Sequence, residues 1–238
     1  MRPHLLLPAL LLAPAVALSA CAVLPGPGAG AGANARGAAN GPVALASVDG
    51  LAVKGRAPKT GYAREQFGKG WLDTDGSGCG TREDILKRDL ARTTFKDGCK
   101  VVSGVLEEDP YTGARITHER GRTGVDIDHV VALSDAWQKG AGRWDKGKRI
   151  AFANDPLNLL AVDAAANRRK GDGDAATWLP PDRGYRCSYV ATQVAVKRKY
   201  GLWVTAGERD AMKRVLAGCP GERLPTGGNP TRPPERLR

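Results

Sequence analysis

Apolar positions between residues 59 and 219 group into short strand-like runs and longer helical runs, which predicts a single α+β domain. Runs rich in β-branched residues predict strands over 100–107, 114–118, 125–131 and 157–162. The sequence "DPYTG" at 109–113 predicts a turn between the first two strands. Helices are predicted over 81–90, 188–200 and 205–217, and the insertion over 134–155 is also expected to be helical.

Capping residues mark the ends of these helices. Thr81 is the expected N-cap of the first, and Gly201 is expected to stop the second. Thr205 and Glu208 form a capping-box sequence at the start of the third, which Gly218 then ends. A long helix, a short turn and a second helix predict an antiparallel pair.

The flanks of this domain have a different composition. Residues 1–20 have a basic start, an apolar run and small residues before Cys21, which predicts an export signal. Cys21 is the expected lipidation site of a membrane-anchored lipoprotein, and ordinary cleavage to a free secreted protein is the alternative. Gly, Ala and Pro dominate 21–58, so this segment is predicted to be a flexible linker, and 220–238 a disordered tail.

The number of cysteines supports export and lipidation. The chain has five, and an odd number leaves one unpaired in an oxidising compartment. With Cys21 lipidated, four remain for two disulfides. The antiparallel helix pair brings Cys187 beside Cys219, which leaves Cys79 and Cys99 to each other across the 81–90 helix.

The charge balance is strongly basic. Lys and Arg number 36 against 25 acidic residues, a formal net charge of +11. Such an excess favours a polyanionic partner, either nucleic acid or an anionic envelope surface, although a basic protein that is merely soluble has the same composition.

Polar residues with chemical potential lie in and after the last two predicted strands. Asp126, Asp128 and His129 are in the first, Asn158 begins the second, and Asn167 and Lys170 share one face of a helix that Asp163 is expected to cap. Asp126 and Asp128 should share a strand face with His129 opposite. One site for Asp128 and His129 therefore requires the backbone to leave regular strand geometry there.

These residue types suit phosphodiester hydrolysis. Asp128 and Asn167 provide oxygen ligands for a hard divalent ion, and neutral His129 suits a general base. Asn158 is expected to hold the loop that bears His129. Arg168, Arg169 and Lys170 are expected to bind phosphate, while Arg82, Arg115 and His118 either add positive charge to the site or are only solvated. A purely structural Asp-His pair is the alternative.

The three segments "DIDHVVAL", "FANDPLNLLAV" and "NRRKGD" resemble the HNH, or ββα-metal, endonuclease motif, with Asp in place of its first His and Asn in place of its last. The likeness covers about 62–219 and is closest to exported bacterial proteins akin to the C-terminal nuclease domain of GmrSD-type restriction enzymes. It implies that Asp128 and Asn167 ligate the metal, that His129 is the general base and that Asn158 stabilises the loop. With no third His, the expected cofactor is Mg²⁺ or Mn²⁺ rather than Zn²⁺.

The resemblance implies a monomeric nuclease acting on nucleic acid, DNA before RNA. Two alternatives are a catalytically inactive nucleic-acid- or envelope-binding lipoprotein and a hydrolase of another phosphorylated polymer. Residues 73–84 imitate a calcium loop but lack its final Glu, so a plain turn before the helix is the preferred interpretation.

Overall fold

The computed structural model describes residues 40–122 and 124–237. The predicted export signal, the lipidation site Cys21 and the first part of the predicted linker lie outside these residues. The described part forms one mixed α/β domain with seven α-helices and two small antiparallel sheets. None of its helices has the length and apolarity needed to span a bilayer.

The helices and strands follow one another along the chain as α1 (Ala44–Val48), α2 (Thr81–Asp89), β1 (Ala91–Lys96), β2 (Lys100–Leu106), β3 (Ile116–Glu119), β4 (Val125–His129), α3 (Leu133–Gln138), α4 (Lys146–Ala153), β5 (Leu159–Asp163), α5 (Ala164–Lys170), α6 (Arg186–Tyr200) and α7 (Ala206–Ala217).

The predicted ββα unit is formed by β4, β5 and α5. The two strands pair antiparallel from Val125↔Asp163 to His129↔Leu159. The Asp163 side chain accepts a hydrogen bond from the Ala166 amide at 2.6 Å, so it caps α5 as predicted. Alternate β5 residues face different cores: Leu160 and Val162 pack with α6 and α7, while Leu159 and Ala161 pack with α2.

Helix α2 covers the outer edge of β5. Arg88 donates to the Leu159 carbonyl at 2.7 Å, and Asp89 accepts from the Ala161 amide at 2.9 Å. These bonds satisfy backbone groups that an edge strand would otherwise expose. The predicted N-cap was one residue late: Gly80 caps α2, and the Thr81 hydroxyl instead donates to the Leu72 carbonyl at 2.5 Å.

Strands β1, β2 and β3 form an antiparallel sheet in that order. Sequence patterns predicted β2 and β3 but not β1, whose exposed polar residues give little alternation. The Cys79–Cys99 disulfide ties the turn between β1 and β2 to the segment before α2, as predicted.

Helices α6 and α7 form the predicted antiparallel pair. Gly201 ends α6 with a left-handed φ of 70°, and both hydrogen bonds of the Thr205–Glu208 capping box are present in α7. Cys187 at the start of α6 is bonded to Cys219 after α7, which confirms the second predicted disulfide.

The folded body is longer than the sequence indicated. Helix α1 lies in the predicted linker, yet Ala44, Val48 and Leu51 are buried against α6 and α7. In the predicted tail, Leu224 packs into the same core and Asn229 donates to the Thr74 hydroxyl at 2.9 Å. A few apolar residues are enough to pack these segments against α6 and α7, and no local sequence pattern reveals this contact.

Candidate active site

One open cavity of about 640 Å³ lies over β4 and the start of α5. Asp126, Asp128, His129 and Asn167 all line it. His129 is the last residue of β4, and the chain bends directly after it. Asp128 and His129 line the same cavity although β4 pairs in register through His129. We call this space the His129 cavity.

The imidazole of His129 is held on two sides. Its Nε2 lies 2.9 Å from the Ala153 carbonyl oxygen, and Trp71 stacks on the ring at 5.5 Å and 11°. A carbonyl oxygen only accepts hydrogen bonds, so Nε2 carries the proton and Nδ1 has the free lone pair. Burial lowers the pKa of His129 to about 3, and the ring is therefore neutral near pH 7.

The carboxylate of Asp128 is almost fully buried and has two donors. Tyr111 donates its hydroxyl to one oxygen at 2.5 Å, and the Lys170 ammonium lies 3.1 Å away. Lys170 also donates to the His129 carbonyl at 2.9 Å. Burial raises the pKa of Asp128 despite these partners, and burial with the nearby Asp128 charge keeps the pKa of Tyr111 well above its usual value.

Asp126 and Asn167 lie together at the cavity wall. The Asn167 amide nitrogen donates to an Asp126 carboxylate oxygen at 3.3 Å, which orients the two side chains. Asn167 was predicted to lie near Asp128. Its direct hydrogen-bond partner is instead Asp126, one strand repeat earlier on the same face.

Asn158 holds the backbone that follows His129. Its side-chain oxygen accepts from the Val131 amide at 2.8 Å, and its amide nitrogen donates to the Val131 carbonyl at 3.3 Å. Its own carbonyl accepts from the Val130 amide at 2.8 Å. Asn158 is fully buried, so it contacts backbone and not the cavity.

None of the three predicted phosphate ligands lines the His129 cavity. Lys170 is buried in its ion pair with Asp128. Arg168 and Arg169 are exposed on α5 but do not line the His129 cavity. The cations that line it are Lys59, Arg64 and Arg82, of which sequence reasoning had named only Arg82. Neither arginine has a hydrogen bond or ion pair among the described residues.

The residues of the cavity suit a hard divalent cation. Asp126, Asp128 and Asn167 present oxygen atoms, which Mg²⁺ and Mn²⁺ prefer. A carboxylate has about four acceptor positions, so the two side-chain donors and the His129 backbone hydrogen bond on Asp128 leave room for an ion. No three His, Cys, Asp or Glu side chains within 40–122 and 124–237 are grouped as a metal site. An amide oxygen such as that of Asn167 is therefore needed to complete one.

Two residues of the site gave no clear signal in the sequence. Tyr111 belongs to the "DPYTG" turn, and Asp109 fixes this turn through the Thr112 and Asp163 amides at 2.8 and 2.9 Å. Trp71 lies before α2, far from β4 along the chain. For Tyr111, the sequence shows only an aromatic residue inside a predicted turn. Its contact with Asp128 becomes visible when Asp109 ties this turn to the ββα unit.

The 73–84 segment is a set of turns over 73–80 followed by the first turn of α2. Asp73 accepts from the Gly76 amide at 2.7 Å, and Asp75 accepts from the Ser77 amide at 3.0 Å. Burial and then the neighbouring Asp75 raise the pKa of Asp84. These carboxylates bond the loop's own amides, in line with the turn interpretation.

Comparisons with known proteins identify the family of this chain. A protein of Arthroderma benhamiae described as an uncharacterized secreted protein is 39% identical over 174 residues, which cover 72% of this chain and 82% of the relative. No solved structure matches the chain. The family model for the C-terminal domain of GmrSD restriction endonucleases matches residues 80–215. This match spans more than half of the chain, from α2 through the whole ββα unit to α7. The chain therefore belongs to the family of GmrSD restriction endonuclease C-terminal domains, which points to a nuclease-type function.

Proposed function

We propose that this protein is an exported, metal-dependent endonuclease that hydrolyses nucleic-acid phosphodiester bonds with His129 as general base. One observation carries the proposal: a neutral, doubly held imidazole faces the same cavity as the oxygen side chains Asp126, Asp128 and Asn167. Nucleic acid is the natural substrate class for the family, and DNA is the first substrate to test.

His129 would take a proton from the attacking water through Nδ1. The Ala153 carbonyl fixes Nε2–H, and Trp71 prevents the ring from tilting. Asn158 positions the ring indirectly, because it ties the Val130–Val131 backbone to the start of β5. A neutral imidazole in a fixed orientation has a lone pair available to accept that proton.

Asp128 and Asn167 would hold the cation, with Asp126 beside them. When bound, a divalent ion of the Mg²⁺ class offsets negative charge on the phosphate and leaving oxygens. Lys170 and Tyr111 would keep the Asp128 carboxylate in place, since both bond it from the protein side. Lys59, Arg64 and Arg82 would bind the phosphates of the substrate.

Export is supported by the signal-like residues 1–20, by the two disulfides and by the name of the secreted relative. A lipid on Cys21 would anchor the mature protein at the cell surface and would explain the fifth cysteine. Cleavage without lipidation would release it.

The test is nicking of supercoiled plasmid and cutting of single-stranded DNA by the purified full chain. Reactions contain Mg²⁺, Mn²⁺ or EDTA. We expect metal-dependent cutting that His129→Ala slows about 10²- to 10⁴-fold. His118→Phe is the matched control, because His118 is a buried histidine that does not line the His129 cavity. Calorimetric titration with Mn²⁺ should show binding that Asn167→Ala weakens.

Three outcomes would count against the proposal. Equal cutting by wild type and His129→Ala would place the activity elsewhere. Cutting that persists in EDTA would show that the reaction does not depend on a metal ion. Salt-sensitive DNA and RNA binding without cutting of either would leave a binding protein on the same fold.

A further inference from the structure

A second cavity, of about 520 Å³, adjoins the His129 cavity. Trp178 and the exposed Arg169 line it, and we call it the Trp178 cavity. Lys59 and Asp172 line both cavities and are joined by an ion pair of 3.2 Å between them. Both side chains of this pair are about half exposed. The two cavities are therefore adjacent parts of one surface, with this ion pair between them.

The two cavities differ in charge. The His129 cavity is lined by equal numbers of acids (Asp126, Asp128, Asp172) and cations (Lys59, Arg64, Arg82). The Trp178 cavity has one acid, Asp172, against four cations (Arg56, Lys59, Arg169, Lys170). In the His129 cavity the acids offset the attraction of the cations for phosphate. In the lining of the Trp178 cavity the cations outnumber the acids.

Most cations of the Trp178 cavity already have acidic partners. Arg56 bonds Asp135 and Asp174 at 3.1 and 2.7 Å, and Lys170 bonds Asp128. The Arg169 guanidinium has no hydrogen bond or ion pair among the described residues. It is therefore the cation best placed to meet a new anion.

Trp178 provides an aromatic surface in a fixed position. Its ring meets Tyr111 edge-on at 4.9 Å and Tyr189 at 5.5 Å, and it remains only partly buried. Tyr111 in turn bonds Asp128. A ring held this rigidly loses little entropy when a flat group stacks on it.

We propose that the Trp178 cavity binds the nucleotide next to the scissile phosphate of a single-stranded polynucleotide. Arg169 contacts its phosphate, and the unpaired base stacks on Trp178. A base in a duplex is already stacked and paired, so this subsite selects single-stranded substrate or frayed regions. The inference rests on the proposed function for the identity of the neighbouring site.

The test measures binding separately from cleavage. Fluorescence anisotropy of a labelled 12-nucleotide single strand is recorded with the full chain in EDTA, over a series of salt concentrations. Arg169→Gln should weaken binding about tenfold and reduce the salt slope by about 1. Arg168→Gln is the matched control: it removes the same charge from the same helix at a residue that lines neither cavity, and we expect less than about a twofold effect.

Trp178→Leu tests the stacking. It should weaken single-strand binding at least about fivefold while the salt slope stays unchanged. Thermal melting of each variant confirms folding, and Trp178→Phe should restore part of the affinity because it keeps an aromatic face. A duplex of the same sequence should bind more weakly than the single strand.

Equal losses in Arg169→Gln and Arg168→Gln, or duplex binding as tight as single-strand binding, would overturn the subsite. These results are distinguishable from failure of the proposed function. Arg169-dependent binding without any cutting would keep the subsite and reject the catalysis. If cutting depends on His129 but Arg169→Gln and Arg168→Gln bind the single strand equally well, the catalysis is kept and the subsite is rejected.

Discussion

Burial decides what Lys170 does. On the sequence it is one of three basic residues after Asn167, with the composition of a phosphate-binding segment. In the fold its side chain is 0% exposed and bonds the Asp128 carboxylate and the His129 carbonyl. It thereby connects the two residues of the proposed site, and a positioning role follows.

Lys170→Met distinguishes a positioning role of Lys170 from a phosphate-binding role. Removing the ammonium leaves Asp128 with one donor, so the free energy of unfolding should fall by about 3–5 kcal/mol. If Lys170 positions Asp128, kcat for DNA cutting should fall while KM stays nearly constant. A rise of KM with constant kcat would instead identify a phosphate ligand. Arg168→Met is the control on the exposed side of α5.

His118 is a buried histidine without partners. It is 2% exposed, and neither ring nitrogen has a hydrogen bond within 40–122 and 124–237. Burial lowers its pKa, and the nearby Arg82 and Arg120 guanidinium groups lower it further. Between this pKa and the unfolded value near 6.5, the unfolded chain binds the additional proton. Stability attributable to His118 is therefore lost as pH falls below about 6.5.

His118→Phe should stabilise the protein by about 1 kcal/mol at pH 8, because an unsatisfied buried polar group is removed. The gain should be larger at pH 5, since phenylalanine does not titrate. Urea unfolding of both proteins at the two pH values measures the difference. A gain that does not depend on pH would show that His118 is not a source of acid sensitivity.

At the scale of elements, the start of α7 combines a local and a tertiary interaction. Thr205 accepts from the Glu208 amide at 3.1 Å, and this bond is visible in the sequence as a capping box. The Glu208 carboxylate also contacts the buried ammonium groups of Lys139 and Lys197 at 2.7 and 2.9 Å. Asp135 bonds the same two lysines, and no capping pattern indicates this network.

Two substitutions in this box should therefore differ in effect. Thr205→Ala should lower the free energy of unfolding by about 1 kcal/mol, the usual value of an N-cap. Glu208→Gln should cost about 3–5 kcal/mol, because it leaves two buried lysines short of one negative charge. Chemical denaturation gives both values. Equal losses would mean that the ion network contributes nothing beyond the cap.

At the scale of the whole molecule, both ends of the described chain belong to the fold. Val43 bridges to Arg223 and Val53 to Val204, and α1 packs on α6 and α7. Arg56 adds a charge to the Asp135 and Asp174 carboxylates. The segment 40–58 is therefore part of the domain and not only a tether.

Deletion tests this directly. A chain of residues 59–219 should be less stable than one of 40–237 by about 3 kcal/mol or more, since Val48 and Leu51 alone bury two aliphatic side chains. Thermal and urea unfolding of the two chains provide the comparison. Equal stability of the two chains would mean that 40–58 acts only as a linker.

Local patterns correctly indicated the ββα unit, the helical pair, the Asp163 and Thr205 caps and both disulfides. They failed for β1, none of whose residues is buried, and for α1, which is too short to show a period. The site divides similarly: Asp128, His129 and Asn167 could be named from type and spacing. Trp71 and Arg64 reach the cavity from distant segments, and Tyr111 bonds Asp128 from another.

The sequence by itself determined the order of elements, their capping and the chemistry available between β4 and α5, because these depend on neighbours along the chain. Only the tertiary structure decided which charges are usable. It buries Lys170 against Asp128, leaves Arg169 open beside Trp178, and encloses Lys139 and Lys197 with Asp135 and Glu208. Burial and long-range pairing control hydration and charge, and neither is encoded in local spacing.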